Sequence, residues 1–478
     1  MEFVNREKEL EYLRQAYEGP DADLLVMYGR RRVGKTRLIQ EFIQEKPHIY
    51  FLCDKTLEIE LLRRMQSAIG LSLRDPLLEG MEFRDWEALF LYWLDRADFS
   101  RKIVLVIDEF QYLARANPAF PSILQRLWDE HLKSHNLFLI LCGSLIRMMY
   151  TSTLSYESPL YGRRTGQMRL EPLSFLDVRT FLPHLSFQEL VAFYSVTGGV
   201  PRYIEILDPN RDIFENIERF ILDKNQYLYA EPRFILNEEV TETTTYFSIL
   251  RVIAEGEHKI GKIASRLRLS PPNLTRYFEV LIDLGILQRQ VPVTEERPQK
   301  SKKGLYFIRD PFFRFWFRYV FPLQSQLEIE NRGYVLERIR SDLPYLQASI
   351  FESIAGDLLA DWDKQGLLPF SPEKWGRWWS RNQEIDLIAL NTPSREILFG
   401  ECKWSTRPID ADILFDLKRK AGEVEWFGKE RKEYFLLMGK SGFTPRLKEI
   451  ARNEGVLLAD GFEMLHFQNA ECGVRSPS

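Results

Sequence analysis

The stretch Gly29-Arg30-Arg31-Arg32-Val33-Gly34-Lys35-Thr36 constrains this chain more than any other. It fits the pattern G-x-x-x-x-G-K-[ST] at every constrained position, and its flanks fit as well. Leu24-Leu25-Val26-Met27-Tyr28 reads as a short buried strand, and Arg37-Leu38-Ile39-Gln40-Glu41-Phe42 as the helix that must follow. The glycines let the backbone close around an anion, so that successive N–H groups converge on it at a helix N-terminus. The loop residues Gly29 to Gly34 and the flanking Arg37 would cradle the phosphates of a nucleoside triphosphate. Lys35 would reach the β- and γ-phosphates, and the Thr36 hydroxyl would ligate Mg²⁺. A strand, a loop and a helix in this register commit the first part of the chain to an α/β fold with a parallel sheet.

A second element is expected at Ile103-Val104-Leu105-Val106-Ile107-Asp108-Glu109. Five apolar residues ending in two acids suit a buried parallel strand, which delivers its carboxylates where ligands of open α/β sheets bind. Asp108 would complete the Mg²⁺ shell, and Glu109 would orient and deprotonate an attacking water. A third strand, Leu137 to Cys142, ends in Gly143-Ser144, so Ser144 stands where a hydroxyl can reach a terminal phosphate or a water. The same serine could simply cap the next helix. Arg163, beside Arg164, could neutralise transition-state charge or could be solvated surface. His131 and His135 have the spacing of one helix face but no third ligand, so they read as surface residues.

At 478 residues the chain is too long for one core. A net charge of −4 supplies no global basic field, so any nucleic-acid contact must come from local patches. Cys53, Cys142, Cys402 and Cys472 are scattered without a C-x-x-C pair, as expected of reduced thiols. The charged opening segment and the lack of an ~18-residue apolar run point to a cytoplasmic protein with no membrane partner.

Phe3, Arg6, Glu7, Glu9 and Leu10 resemble the opening segment of AAA+ ATPases that lies over the nucleotide base. Thr197-Gly198-Gly199-Val200-Pro201-Arg202 reads first as a helix-ending turn. It also resembles the G-G-x-P element in the lid of signal-transduction-type ATPases, which would put Arg202 near the nucleotide. Together with the phosphate loop, the Asp-Glu strand, Tyr161 to Gly166 and Glu171 to Phe175, these motifs look like the archaeal-type ATPase family over residues 1 to 240. The resemblance implies a AAA+ core, a helical lid and ATP as the nucleotide, with Ser144 as first sensor.

Residues 244 to 310 change character. Three apolar-faced helices and a hairpin-like strand pair make a winged helix, whose third helix would expose Asn273, Thr275 and Arg276 to a DNA groove. Arg297, Lys300, Lys302 and Lys303 would meet phosphates from the wing. Many winged helices instead only join domains or bind proteins. Asp310 to Tyr319 is an aromatic band that reads as a packed linker helix, or as a surface for stacking bases.

The last part carries a second constellation. Glu384 to Leu390 reads as a strand, and Ile397 to Trp404 as its partner across a Thr-Pro-Ser turn. Glu401 and Lys403 are i, i+2 and share one face, and Asp386 on the neighbouring strand can approach Glu401 closely enough to share a metal. Two carboxylates and the Cys402 carbonyl make an oxygen-rich site suited to Mg²⁺, with Lys403 placed to orient a water or stabilise a crowded phosphate. With Glu352 on a preceding helix, this order resembles the PD-(D/E)XK nuclease superfamily. That resemblance implies a mixed sheet flanked by helices and metal-dependent phosphodiester hydrolysis, although such folds also serve as inactive binding modules.

The expected architecture is therefore α/β throughout: a P-loop AAA+ core (1–170), a helical lid (171–240), a winged helix (241–310), linker helices (311–345) and a nuclease-like domain (346–478). Three functions follow from it. One is an ATP-driven enzyme acting on DNA, and another a nucleotide switch controlling assembly with a protein partner or a second copy. The third is a DNA-binding regulator that cuts nothing.

Overall fold

The computed structural model describes residues 5–465, so Phe3 and Cys472 lie outside the described residues. Within it the chain divides into two compact units. The first comprises Met1–Pro172 together with Val200–Arg202 and Ile235–Thr241; the second holds Leu173–Gly199, Tyr203–Phe234 and Glu242–Ser478. The stretch 171–240 is thus shared between units rather than forming one block.

The first unit is built on five strands: β1 (Asp23–Tyr28), β2 (His48–Leu52), β3 (Ile103–Asp108), β4 (Leu137–Gly143) and β5 (Gly166–Arg169), in the order β2-β3-β4-β1-β5. Every pairing is parallel. All residues of β3 and β4 are buried, which is why both read as unbroken apolar runs: helices cover both faces of a parallel sheet. Alternation sorts them into two cores. Leu24, Val26, Leu105 and Ile107 face one, while Leu25, Met27, Val104 and Val106 face the other. The helix Lys35–Ile43 presents Leu38, Ile39 and Phe42 to the second.

The expected helix face shared by His131 and His135 is not there. The helix Phe120–Glu130 stops before them, and the His135 ring packs on Phe99 with centroids 4.6 Å apart.

In the second unit, helices Thr244–Ala254, Ile260–Leu267 and Pro271–Asp283 precede an antiparallel hairpin of β6 (Leu287–Gln290) and β7 (Leu305–Ile308). The aromatic band that follows is core. Phe312, Phe313, Phe315, Trp316 and Phe317 are buried, and Trp316 Nε1 donates to the Tyr229 carbonyl at 2.7 Å. These rings hold helices together and are not open to bases. One 33-residue helix, Arg332–Lys364, then runs straight through the expected boundary at 345. It packs against a six-stranded mixed sheet of β8 (Lys374–Trp379), β9 (Glu384–Asn391), β10 (Glu396–Lys403), β11 (Lys432–Gly439), β12 (Leu457–Asp460) and β13 (Glu463–Met464), in the order β13-β12-β11-β10-β9-β8. Strands β10, β11 and β12 pair in parallel, and the rest antiparallel.

The turn at Gly198-Gly199 ends the helix Phe187–Thr197, with Gly198 at φ +57°. A Cβ on Gly199 would lie 1.7 Å from the Leu173 carbonyl oxygen, whose own N–H donates to the Gly199 carbonyl. Only glycine fits there. Among the described residues no helix is long and apolar enough to cross a membrane.

Candidate functional sites

The glycine-rich loop follows β1 and feeds the helix Lys35–Ile43, with Gly34 at φ +98° and Arg32 at φ +72°. A Cβ on Gly29 would sit 2.3 Å from the Leu170 carbonyl, so backbone packing forces glycine at the loop entrance. The Lys35 ammonium lies inside the loop and donates to the carbonyls of Gly29 (2.8 Å) and Arg30 (2.9 Å). Burial pulls its pKa down, opposed by the acidic groups of Cys142, Glu109 and Asp108. Arg30 and Val33 are buried, whereas Thr36 and Arg37 are exposed at the helix start.

The end of β3 meets this loop. Thr36 Oγ1 donates to Asp108 Oδ2 at 3.1 Å, and the Tyr50 hydroxyl donates to the same oxygen at 2.5 Å. Asp108 is 1% exposed. A hydroxyl and a carboxylate at this separation are a donor pair suited to a hard cation, so the residues present fit Mg²⁺. The neighbouring Glu109 adopts φ +55°, a conformation unfavourable to a non-glycine residue and concentrated at functional sites. Its carboxylate accepts from Ser144 Oγ at 2.7 Å and from the Gln111 amide. Gly143 gives that group room, since a Cβ there would come within 2.3 Å of Gln111 Oε1.

The remaining expected residues divide. Arg6 does reach the loop region, donating to the Val33 and Glu171 carbonyls. Arg31 is held by Glu238 (2.6 Å) and the Tyr112 hydroxyl (2.6 Å). Glu239, the next residue, accepts from the Ile146 N–H at 3.0 Å, just beyond Ser144. Arg202 is exposed at the start of the helix Pro201–Ile206, in the small piece that groups with the first unit. Arg163 instead pairs with Asp129 at 3.1 Å, and both are about a third exposed. Tyr50, Glu238 and Glu239 carried no signal in sequence, because each meets the site from a distant segment, and Gln111, two residues past Glu109, belongs to no motif.

The second constellation lies where β9 and β10 run antiparallel. Gly400 faces Leu387, so the next position on each strand sets Glu401 against Asp386. Asp386 is 7% exposed and Glu401 5% exposed, and the Cys402 N–H donates to Asp386 Oδ2 at 3.0 Å. Burial, then the nearby Glu352 and Glu401 carboxylates, push the Asp386 pKa up to about 7. Glu352 is also raised, by burial, against the pull of Arg377 at 3.5 Å. Lys403 Nζ contacts Glu401 at 2.7 Å, and Lys420, which the sequence did not flag, reaches the same carboxylate at 3.2 Å. Among the described residues no three His, Cys, Asp or Glu side chains are grouped to hold a metal by themselves. Two crowded carboxylates and the Cys402 carbonyl still fit a divalent cation that keeps several waters, because its charge would offset the burial and the carboxylate crowding that raise Asp386.

On the third helix of the hairpin-bearing module, Asn273, Thr275 and Arg276 are exposed. In the hairpin loop Arg297, Lys300 and Lys302 are exposed, while Lys303 is tied to Glu295 at 2.7 Å.

A parallel sheet with this loop, lysine and paired acids defines a P-loop ATPase domain. Residues 3–207 match the family described as an ATPase domain predominantly from Archaea. Residues 247–289 match bacterial regulatory proteins of the arsR family, and 316–420 match archaeal and bacterial proteins of unknown function. The chain belongs to the family of a Methanocaldococcus jannaschii protein, MJECL04, to which it is 37% identical over 441 residues, 92% of this chain and 95% of that one. A 44-residue stretch is 52% identical to an ATP-binding protein of the same organism, covering 9% of this chain and 75% of that protein. The Walker-type ATPase PABY2304 of Pyrococcus abyssi shares the fold, with a TM-score of 0.51 at 22% identity over 66% of this chain and 96% of its own.

Proposed function

We propose that the first unit binds and hydrolyses ATP with Mg²⁺ and that the second acts on nucleic acid through a metal-dependent phosphodiester-cleaving centre. In the first unit Lys35 would take the β- and γ-phosphates, and Thr36 and Asp108 would hold Mg²⁺, which neutralises phosphate charge. Glu109 would orient and deprotonate the attacking water once Ser144 and Gln111 release it, and Arg202 would approach the nucleotide from the helical segment. Arg163, occupied by Asp129, would have to leave that partner before it could serve as a finger.

One observation carries the cleavage reading: Asp386 and Glu401 are buried opposite each other on β9 and β10, with Lys403 two residues along the same face. Two carboxylates and the Cys402 carbonyl would hold the cation, which would supply a water activated near neutral pH. Lys403 would steady that water or the crowded phosphate. The exposed Asn273, Thr275 and Arg276, and the wing cations, support duplex contact by the hairpin-bearing module.

A second reading has its own support. Glu401 is already paired with Lys403 and Lys420, a closed ion network suited to a binding module without cleavage. Under it, ATP controls assembly with a protein partner or a second copy. The deciding experiment is Mg²⁺-dependent cleavage of single-stranded, duplex and branched DNA, with and without ATP, by wild type and Asp386→Ala. Cleavage lost in the variant supports the nuclease reading. No cleavage by wild type on any substrate overturns it in favour of the switch.

A further inference from the structure

Beside Asp386 lies a cavity of about 420 Å³, walled by the β6–β7 hairpin, the long helix and β8. Its lining sets four guanidinium groups, those of Arg289, Arg309, Arg314 and Arg377, against three carboxylates, Glu352, Asp357 and Asp386. Arg314 donates from Nη2 to the Ser349 hydroxyl at 2.5 Å, one neutral acceptor for a group with five N–H donors. Arg377 divides itself between Glu352 and Glu384, each at 3.5 Å, too long for a tight forked pair. Burial, then Arg318 against the pull of Glu352, then Arg377, leaves the Arg314 pKa at about 10. Arg314 with one neutral acceptor and Arg377 with two loose ones keep donors to spare for an anion with several oxygens, and a phosphodiester matches the planar fork of arginine.

The walls add a second preference. Trp375 is 42% exposed, and its indole lies so close to the helix that a Cβ on Gly356 would come within 2.5 Å of Nε1. The N–H edge of the ring is therefore seated against the helix, while much of the indole surface stays open to a base. The volume sits near the lower end of the roughly 300–1,000 Å³ of small-molecule pockets, room for about one nucleotide. A volume for about one nucleotide cannot take in both strands of a base-paired duplex.

We propose that Arg314 and Arg377 form a phosphate subsite beside Asp386, and that the polymer admitted there is a single-stranded polynucleotide with a base stacked on Trp375. The proposal deepens the nucleic-acid reading above and rests on it. The test is fluorescence anisotropy of labelled oligo(dT), oligo(rU) and a blunt hairpin duplex with the full chain in EDTA, where cleavage cannot confuse binding. Arg377→Gln and Arg314→Gln should each weaken single-strand binding by about tenfold or more, the loss expected for a charged hydrogen bond. Each should also flatten the slope of log affinity against log salt by about 0.7, one released phosphate contact on a single strand. Trp375→Ala should weaken affinity without changing that slope, and Lys429→Gln, an equal charge change on a remote exposed turn, should do neither. Arg314→Lys should recover part of the affinity, which separates lost charge from lost folding. Hairpin affinity should be unaffected throughout. Single-strand binding that is absent in wild type, or that keeps its affinity and slope in both arginine variants, overturns the subsite. If the arginine variants lose binding but wild type cleaves nothing, the cleavage reading fails while the subsite stands. Cleavage with unchanged binding by the variants sinks the subsite alone.

Discussion

Asp386→Asn should stabilise the C-terminal sheet at neutral and alkaline pH. In the native chain, burial and the Glu352 and Glu401 carboxylates raise the Asp386 pKa from 3.8 to about 7. Below about pH 4 the folded and unfolded chains both carry the proton, so the residue costs nothing. Between about pH 4 and 7 the folded chain keeps a proton that the unfolded chain has released, and stability falls as pH rises. Above about pH 7 the whole cost is present; at 1.36 kcal/mol for each pH unit separating the two values it is at most ~4 kcal/mol. Asparagine keeps an oxygen for the Cys402 N–H and never ionises. Hydrogen exchange of peptides spanning β9 and β10 reports the opening of this sheet specifically. Near pH 8 the variant should exchange up to about a thousandfold more slowly than wild type, and near pH 4 the two should coincide. Millimolar Mg²⁺ should close the gap at pH 8 by stabilising the ionised wild type alone. A variant no slower than wild type at pH 8, or a gap that ignores pH, would refute the claim that a buried, crowded carboxylate loads this site.

Lys35→Ala should abolish ATP binding in a filter or calorimetric assay, and retained binding would remove the loop assignment. Glu109→Gln should still bind ATP yet turn over about 10²–10⁴-fold more slowly, the usual worth of a general base; unimpaired turnover would strip Glu109 of that role. Gly199→Ala should lower the melting temperature, because its Cβ would meet the Leu173 carbonyl at 1.7 Å and overpacking of this kind costs about 1–3 kcal/mol. An unchanged melting temperature would show that the turn can open.

The parts of this fold that could be read in advance are those written locally. The loop at 29–36 carries its own glycines, lysine and hydroxyl, and the apolar run into Asp108 announces a buried parallel strand. In the C-terminal sheet, alternation alone set Glu401 and Lys403 on one face. What escaped depends on segments far apart in sequence. Glu109 needs Ser144, 35 residues on, and the Glu401 carboxylate meets Lys420 from a helix after its strand. Arg314 and Arg377 share a cavity only because the long helix brings β8 beside the hairpin. The expected boundary at 345 falls inside the helix Arg332–Lys364, which continues through Pro344.

The short segment Ile235–Thr241 makes the first unit impossible to cut out as one continuous fragment. It supplies Glu238 to Arg31 of the phosphate loop and Glu239 to the Ile146 N–H, yet the chain visits the second unit before reaching it. A truncation ending near residue 207, where the family match stops, would keep every residue of the glycine-rich loop and lose both clasps. Its loop arginine and the helix start beyond Ser144 would be left without these carboxylates. The smallest faithful ATPase fragment therefore has to extend through Thr241, and its edge is set by the return of the chain, not by the end of the recognisable motif.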